Sequence, residues 1–190
     1  MKGAFITFII FFLAAPGMMC VAQSDGASKQ SISINGSSNM HDWVMHAEEV
    51  VVKGDISSAE DDGTWKVSAL TVEIPVEKIK SEKGSIMDKK TYKALMSEVH
   101  PVIRFNVPGT TVLTTGKANK VQGSLRVAGV TKTIDLAVDV RLSPAGDLVC
   151  SGQKDMKMTD FKVDPPTALM GAMKTTDEIT IEFNVTLSNF

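Results

Sequence analysis

The sequence predicts an all-β protein whose antiparallel strands form a sandwich or a barrel, with one main α-helix. Three observations support this prediction. Apolar and polar residues alternate in several segments, turns rich in Gly, Pro and Asn separate those segments, and one long segment instead spaces its apolar residues as a helix does. Alternation places one face of a strand in a core and the other in water. Short strands divided by such turns are typical of antiparallel sandwiches and barrels.

The last strand shows the alternation most clearly, because Ile179, Ile181 and Phe183 share one face while Thr180 and Glu182 share the other. The same pattern predicts strands at 134–142, 70–74 and 103–107, and shorter ones at 32–34 and 50–52. The segment 123–136 predicts a hairpin that turns at Ala128-Gly129.

The main helix is predicted over about 86–97. This segment is rich in helix-forming residues, Ser85 is a suitable N-cap, and Asp88 places a negative charge in the first turn. Pro101 ends the pattern. A second short helix is expected near 167–173, after two consecutive prolines.

The amino terminus predicts an exported protein, periplasmic or secreted. Lys2 precedes an apolar run that is too short to span a bilayer comfortably, and small residues precede Gln23. We therefore expect a signal peptide over 1–22, a flexible lead-in over 23–30 and one domain over 31–190. Cys20 follows Met19 and not a small residue, so lipid modification at Cys20 is disfavoured.

The composition argues against a nucleic-acid partner and against an intrachain disulfide. The formal net charge is −2 and the chain has no basic stripe, so nucleic acid is not expected as a partner. Cys150 is the one cysteine left after residue 22, so no intrachain disulfide is expected. Such a cysteine is typical of a small buried apolar residue.

The stretch NMHDWVMH, residues 39–46, is the strongest candidate for chemistry. His41 and His46 are five residues apart, which places them on opposite faces of a straight strand and disfavours a shared metal ion. Ser37, His41 and Asp42 are too close in sequence for the geometry of a triad, and the chain has no Gly-x-Ser-x-Gly turn. We predict no catalytic residue, no metal ligand and no cofactor.

Trp43 leaves two interpretations open, because it could plug one end of a barrel or line the entrance for a ligand. The methionines leave two as well. Met156, Met158, Met170 and Met173 could fill an irregular core or line a site for a flexible apolar ligand.

Four stretches occur in a specific order and spacing. They are GSSNMHDWVMHAEEVVVKGDI at 36–56, EIPVEKIKSEKGSIMDKKTYKALMSEVHPVIRF at 73–105, VQGSLRVAGVTKTIDLAVDV at 121–140 and KMTDFKVDPPTALMGAMKTTDEITIEFNVTL at 157–187. Together they resemble the YceI-like family of exported, polyisoprenoid-binding proteins. The helix start differs from the Arg-Asp-x-x-Leu common in that family, since Met87-Asp88-Lys89-Lys90 occupies the position.

The resemblance implies an eight-stranded antiparallel β-barrel of extended, lipocalin-like type with a helix near one end. It also implies a protein that is not an enzyme and that holds a polyisoprenoid or another long-chain lipid in the bore, as a carrier or a store. Transient contact with a membrane or a membrane protein is compatible with that role. The alternatives are a filled barrel that acts as a structural or protein-interaction module and, less favoured, a metal-dependent hydrolase.

Candidate site residues follow from the alternation and the resemblance together. The hypothesis places nine residues on the ligand-binding wall: Trp43, Leu70, Val72, Phe105, Leu125, Leu136, Val138, Ile181 and Phe183. It places Asn39, His41 and Asp42 at the rim or against a head group. The wall residues could equally be packed core without a ligand.

Overall fold

The computed structural model describes residues 30–58 and 63–188. The predicted signal peptide, Cys20 and nearly all of the lead-in lie outside the described residues. The strands are β1 (Ser31–Ser38), β2 (Asp42–Ala47), β3 (Val51–Ser58), β4 (Thr64–Pro75), β5 (Ile79–Ser81), β6 (Val102–Asn106), β7 (Thr110–Thr114), β8 (Ala118–Val127), β9 (Val130–Leu142), β10 (Leu148–Lys157), β11 (Thr167–Ala168) and β12 (Met173–Leu187). The helix α1 spans Ser85–Ala94, and 3-10 turns lie at Val76–Lys78, Met158–Phe161 and Leu169–Gly171.

All pairs of neighbouring strands are antiparallel, and the strands form one curved sheet. Its order is β3-β4-β6-β8-β9-β10-β12-β1-β2-β5, with β7 paired to β4 and β11 paired to β12. The all-β, lipocalin-type fold class is therefore confirmed.

The described strands number twelve, whereas eight were expected. Two pairs of segments account for half of the difference, because β2 continues into β3 and β6 continues into β7. The first half of the β2–β3 strand pairs with β1 and the second half pairs with β4. Similarly, β6 and β7 pair with successive parts of β4. With each pair joined, and with the short β5 and β11 set aside, eight long strands remain.

The β2–β3 strand also closes the ring. The two halves lie toward opposite ends of the sheet path, and residues 48–50 connect them. The backbone N–H of Glu48 donates to the carbonyl of Lys78 at 2.9 Å, so the bend rests on the segment before β5. The barrel is thus closed by the continuous chain and not by another hydrogen-bonded pair of strands.

A bulge at Ala69 changes which residues of β4 face inward. Ala69 has a φ of 52°, and its N–H donates to the carbonyl of Gly109 in the break between β6 and β7. Before the bulge, Val67 is the β4 residue whose side chain faces the core, and after the bulge Leu70 is the next one to do so. Because an extra residue in one strand shifts the alternation by one, both halves of β4 keep apolar side chains in the core.

The predicted hairpin is present, with β8 and β9 joined at Ala128-Gly129. Ala128 has a φ of 46° and Gly129 a φ of 82°, so both central residues are left-handed, as in a type I′ turn.

The second predicted helix corresponds to the 3-10 turn Leu169–Gly171, in which Met170 has a φ of 56°. In the described residues, no helix is long and apolar enough to cross a bilayer.

The main helix is shorter than predicted at its carboxyl end. Met96 adopts the left-handed conformation with a φ of 53°. Its N–H donates to the Lys93 carbonyl at 3.1 Å, and the Ser97 N–H donates to the Tyr92 carbonyl at 2.9 Å. These two bonds form a Schellman motif, which ends a helix. Ser85 was also expected as the N-cap, but Gly84 occupies that position and supplies no side-chain cap.

We expect Met96→Gly to stabilise the protein. Glycine adopts positive φ without the steric cost that methionine carries, so the free energy of unfolding should rise by about 1 kcal/mol. For a chain of this size that corresponds to a Tm increase of roughly 2–4 °C. Thermal unfolding followed by circular dichroism would measure it. Met96→Val should lower Tm, and an equal change in both variants would contradict the explanation.

Candidate functional site

The inward faces of the strands surround one cavity of about 550 Å³. All nine residues of the hypothesised wall line it: Trp43, Leu70, Val72, Phe105, Leu125, Leu136, Val138, Ile181 and Phe183. They come from β2, β4, β6, β8, β9 and β12, which are distributed around the ring. The alternating residues of separate strands thus share one apolar space.

The cavity has a closed end and a mouth. At the closed end Leu113, Leu148 and Leu187 are each only 2% exposed. At the other end the lining includes His41, the first turns of α1 and Thr167. Most of the charged residues in the lining therefore lie at or near the mouth, whereas packed leucines close the opposite end.

Three inward-facing glycines keep the bore open by accommodating aromatic rings. Gly36 lies opposite Trp43 in the β1–β2 ladder, and Gly152 lies opposite Phe183 in the β10–β12 ladder. A Cβ atom at either glycine would overlap the facing ring. A Cβ atom at Gly123 would likewise overlap the ring of Phe105 on the neighbouring strand. Since each ring lies across the glycine of a neighbouring strand, it occupies wall space and not the centre of the bore.

Trp43 is a wall residue and not an exposed one. Its side chain is buried in the main core cluster, and its indole Nε1 donates to the carbonyl of Ser37 at 3.1 Å. The indole polar group is thereby satisfied, while the ring faces the cavity. Of the two interpretations of Trp43, the geometry favours a lining residue that forms part of the packed wall.

The helix α1 lies beside the mouth and adds Met87, Thr91 and Leu95 to the lining. Its other side is fixed to the segment around β5. The buried Asp88 carboxylate accepts the Ser81 N–H at 2.7 Å, and the Tyr92 hydroxyl donates to the Glu77 carbonyl at 2.8 Å.

Lys80 completes this attachment of α1. Its Nζ donates to the Tyr92 hydroxyl oxygen at 2.6 Å and lies 3.8 Å from the Asp88 carboxylate. The hydrogen bond to Tyr92 is the main reason that the pKa of Lys80 is raised above its ordinary value, and the charge of Asp88 makes a smaller contribution in the same direction. The ammonium ion is therefore a constant part of the contact at neutral pH.

The three hypothesised rim residues divide into one lining residue and two outside the cavity. His41 lines the mouth, and its Nδ1 lies 3.0 Å from the Asp42 carbonyl oxygen. The Asn39 side chain instead ties the turn before β2 to β12, since it bonds the Ala172 carbonyl and the Lys174 N–H. Asp42 is exposed and lies outside the lining.

The three histidines lie apart. His46 faces outward and contacts Glu82 at 3.2 Å, whereas His100 packs near the hairpin turn at Gly129. In residues 30–58 and 63–188, no three His, Cys, Asp or Glu side chains are grouped so that they could hold a metal ion.

Cys150 lines the bore, and burial raises the pKa of its thiol to about 12.

A family model described as the YceI-like domain matches residues 27–187. The chain belongs to the YceI-like family. No curated protein matches the YceI-like chain significantly.

Solved structures share the fold of this YceI-like protein. Burkholderia cenocepacia BcnA has a TM-score of 0.66 at 15% identity, over 84% of this chain and 97% of that one. A polyisoprenoid binding domain from Saccharophagus degradans, implicated in plant cell wall breakdown, has a TM-score of 0.61 at 14% identity, over 83% and 92%. The Campylobacter jejuni YCEI protein has a TM-score of 0.55 at 18% identity, over 98% of both chains.

Sequence reasoning missed the contribution of β10 to this YceI-like cavity. Cys150, Lys154 and Met156 all line it from inward positions of β10. Leu148, Cys150 and Met156 do alternate, but Gly152 and Lys154 interrupt the apolar pattern between them. The segment after β10 also adds Phe161 and Val163, which sequence reasoning missed, and Met158, for which a lining position was one of the two interpretations.

The methionine cluster divides between the two interpretations. Met156, Met158 and Met173 line the cavity, whereas the side chain of Met170 is fully exposed. The cluster is therefore mostly lining, and Met170 belongs to the outer surface of the mouth.

We expect Gly36→Ala to displace Trp43 from the wall. The added methyl group overlaps the indole, so the free energy of unfolding should fall by about 1–3 kcal/mol, as in overpacked cores. Tryptophan fluorescence should change in the native state, and urea unfolding would give the stability. Ser33→Thr, which adds one methyl group to the outer face of the same strand, should alter neither. Unchanged fluorescence in Gly36→Ala would contradict the proposed packing.

Proposed function

We propose that this YceI-like protein is an exported, non-catalytic lipid-binding protein that holds a polyisoprenoid or similar long apolar amphiphile in its bore. One observation carries the proposal: a barrel with a closed end encloses an apolar cavity of about 550 Å³ that opens beside α1. A space of this size lies within the range of about 300–1,000 Å³ that is typical of small-molecule sites. The filled-barrel alternative requires an interior without such a space.

The cavity volume sets the length of chain that fits. At about 30 Å³ for each water-sized group, 550 Å³ holds roughly 18 carbon-sized groups. At roughly 0.8 kcal/mol for each buried methylene, such a chain gains about 14 kcal/mol before ordering costs. Apolar burial alone is thus sufficient for binding, and longer isoprenoids would extend from the mouth.

The wall chemistry supports binding without reaction. Most of the lining is aliphatic or aromatic, and such a surface discriminates between chains by width and length. The one thiol in the lining, Cys150, has a pKa of about 12, so it is protonated at neutral pH and is a poor nucleophile. A carrier or a store therefore fits these residues better than a hydrolase does.

The direct test is to identify what travels with the protein. Protein made in its own host should carry a species of several hundred daltons in native mass spectrometry, and organic solvent should remove it. Lipid analysis of the extract would name the ligand. If gently purified protein shows only its bare mass, and also fails to bind added apolar probes, the proposal is wrong.

We expect Leu136→Trp to lower the affinity for an apolar fluorescent probe at least about tenfold. Leu136 points into the bore, so the indole takes up space that the ligand needs. Ala137→Trp is the matched control, since Ala137 is exposed on the outer face of β9. Titration with 1-N-phenylnaphthylamine would measure both variants, and Tm would show that each is folded. Equal affinity in the two variants would place the probe outside the bore.

We also propose that the mouth makes transient contact with a membrane surface. Three exposed apolar side chains surround it: Met40 at 58% exposure, Ile86 at 76% and Met170 at 107%. Met40 precedes His41 of the mouth, Ile86 is in the first turn of α1, and Met170 lies between Thr167 and Met173, which both line the cavity. Lys83 and Lys90 lie at the same end and suit anionic lipid head groups.

The contact can be tested with vesicles that contain phosphatidylglycerol. The triple variant Met40→Ser, Ile86→Ser, Met170→Ser should sediment with vesicles several-fold less than the wild type, because exposed apolar groups anchor proteins at lipid interfaces. The control is Val112→Ser with Leu142→Ser, which removes exposed apolar side chains near the closed end. Equal losses in both variants, or no sedimentation of the wild type, would contradict the proposal.

A further inference from the structure

Lys154 lies on the inner wall of the barrel. In β10 the inward residues alternate as Cys150, Gly152, Lys154 and Met156. Lys154 is opposite Ile181 in the β10–β12 ladder, and Ile181 lines the same cavity. A lysine therefore occupies a position at which its neighbours on the wall are apolar.

Lys154 has no hydrogen bond or ion pair among the described residues, whereas the lysines near it do. Lys157 contacts Glu178 at 3.4 Å, and Lys120 contacts Asp135 at 2.9 Å. The pKa of Asp135 is lowered first by hydrogen bonds from Lys120 and Gln122, and then by charge that includes Lys154. The Asp135 carboxylate, whose pKa the charge of Lys154 helps to lower, is thus already bonded to Lys120 and Gln122.

The charged groups that line the cavity all have one sign. Among the described residues of the lining they are Lys83, Lys90, Lys154 and Lys157, with His41 as the one other basic group and with no Asp or Glu. The whole chain has a net charge of −2, so the basic lining is not a consequence of overall composition. A bore lined in this way attracts anions and lowers the cost of desolvating them.

Lys154 lies at a defined depth in the bore. Three residues separate it from Lys157 at the mouth, which corresponds to about 10 Å of strand. Six residues separate it from Leu148 at the closed end, or about 20 Å. An amphiphile with its polar end at Lys154 would have its tail along the apolar part of the bore, while Lys83 and Lys90 would lie on its path of entry.

We propose that the bore prefers an amphiphile whose polar end is an anion, a carboxylate or a phosphate, and that Lys154 determines this preference. The inference rests on the proposed lipid-binding function and adds the chemical class of the head group. A bound anion gives the lysine a charge-assisted hydrogen bond, which is stronger than a bond to a neutral group. A neutral alcohol offers that ammonium no charge of opposite sign, and the nearby Asp135 carboxylate is already engaged by Lys120 and Gln122.

The test compares ligands that share one tail. Oleic acid is matched with oleyl alcohol, and geranylgeranyl phosphate with geranylgeraniol, each by displacement of 1-N-phenylnaphthylamine. In the wild type, at least one anion should bind about tenfold or more tightly than its alcohol. Comparison of the two pairs would show whether the site prefers a carboxylate or a phosphate.

Lys154→Met should bring the ratio of anion to alcohol affinity close to one, while the alcohol affinity stays within a few-fold. Lys154→Arg should preserve the preference, and it also tests the inference if the methionine variant is unstable. Lys66→Met is the charge-matched control, because Lys66 is exposed on the outer face of β4. It should leave the ratio unchanged.

The outcomes separate this inference from the function on which it rests. If alcohols and anions displace the probe equally in the wild type, the inference is wrong and the lipid-binding function stands. The same conclusion follows if Lys154→Met retains the full preference. If no apolar probe binds the wild type, the proposed function itself fails.

Discussion

The contact between inward glycines and aromatic rings determines whether this ring of strands encloses a space or a packed core. Phe105 and Phe183 are large enough to fill the centre of an eight-strand barrel, as side chains do in other small barrels. Each instead lies over a glycine of a neighbouring strand, as Trp43 does over Gly36. The rings then contribute apolar surface to the wall without obstructing the bore. The cavity therefore depends on residues that have no side chain at all.

Closure at one end gives the bore a direction. Packed leucines such as Leu113 and Leu148 close one end, whereas lysines and the helix α1 surround the other. An apolar chain has one favourable orientation in such a space, with its tail against the leucines and its polar end toward the lysines. In the proposed function, binding and orientation thus follow from the same distribution of side chains, and neither needs a reactive group.

Alternation was sufficient to place residues of several strands on the inner wall, because a period of two fixes which face of each strand points inward. It placed Leu70 and Phe105 on the inner faces of strands that pair with each other. The features that it missed depend on contacts between distant segments or on unusual residues. Met96 ends α1 in a conformation that usually requires glycine, so no signal marked the boundary. Gly152 and Lys154 interrupt the apolar pattern of β10, so alternation did not mark this strand.

The bend at residues 48–50 has a consequence for the width of the barrel. Hydrogen-bonded ladders join the neighbouring strands along the sheet path, but no ladder joins β2 to β3, and residues 48–50 connect them instead. Insertions or deletions there would alter the calibre of the tube without disturbing the register of any ladder. A longer or shorter connection would therefore change the width of the bore and leave the rest of the scaffold unchanged.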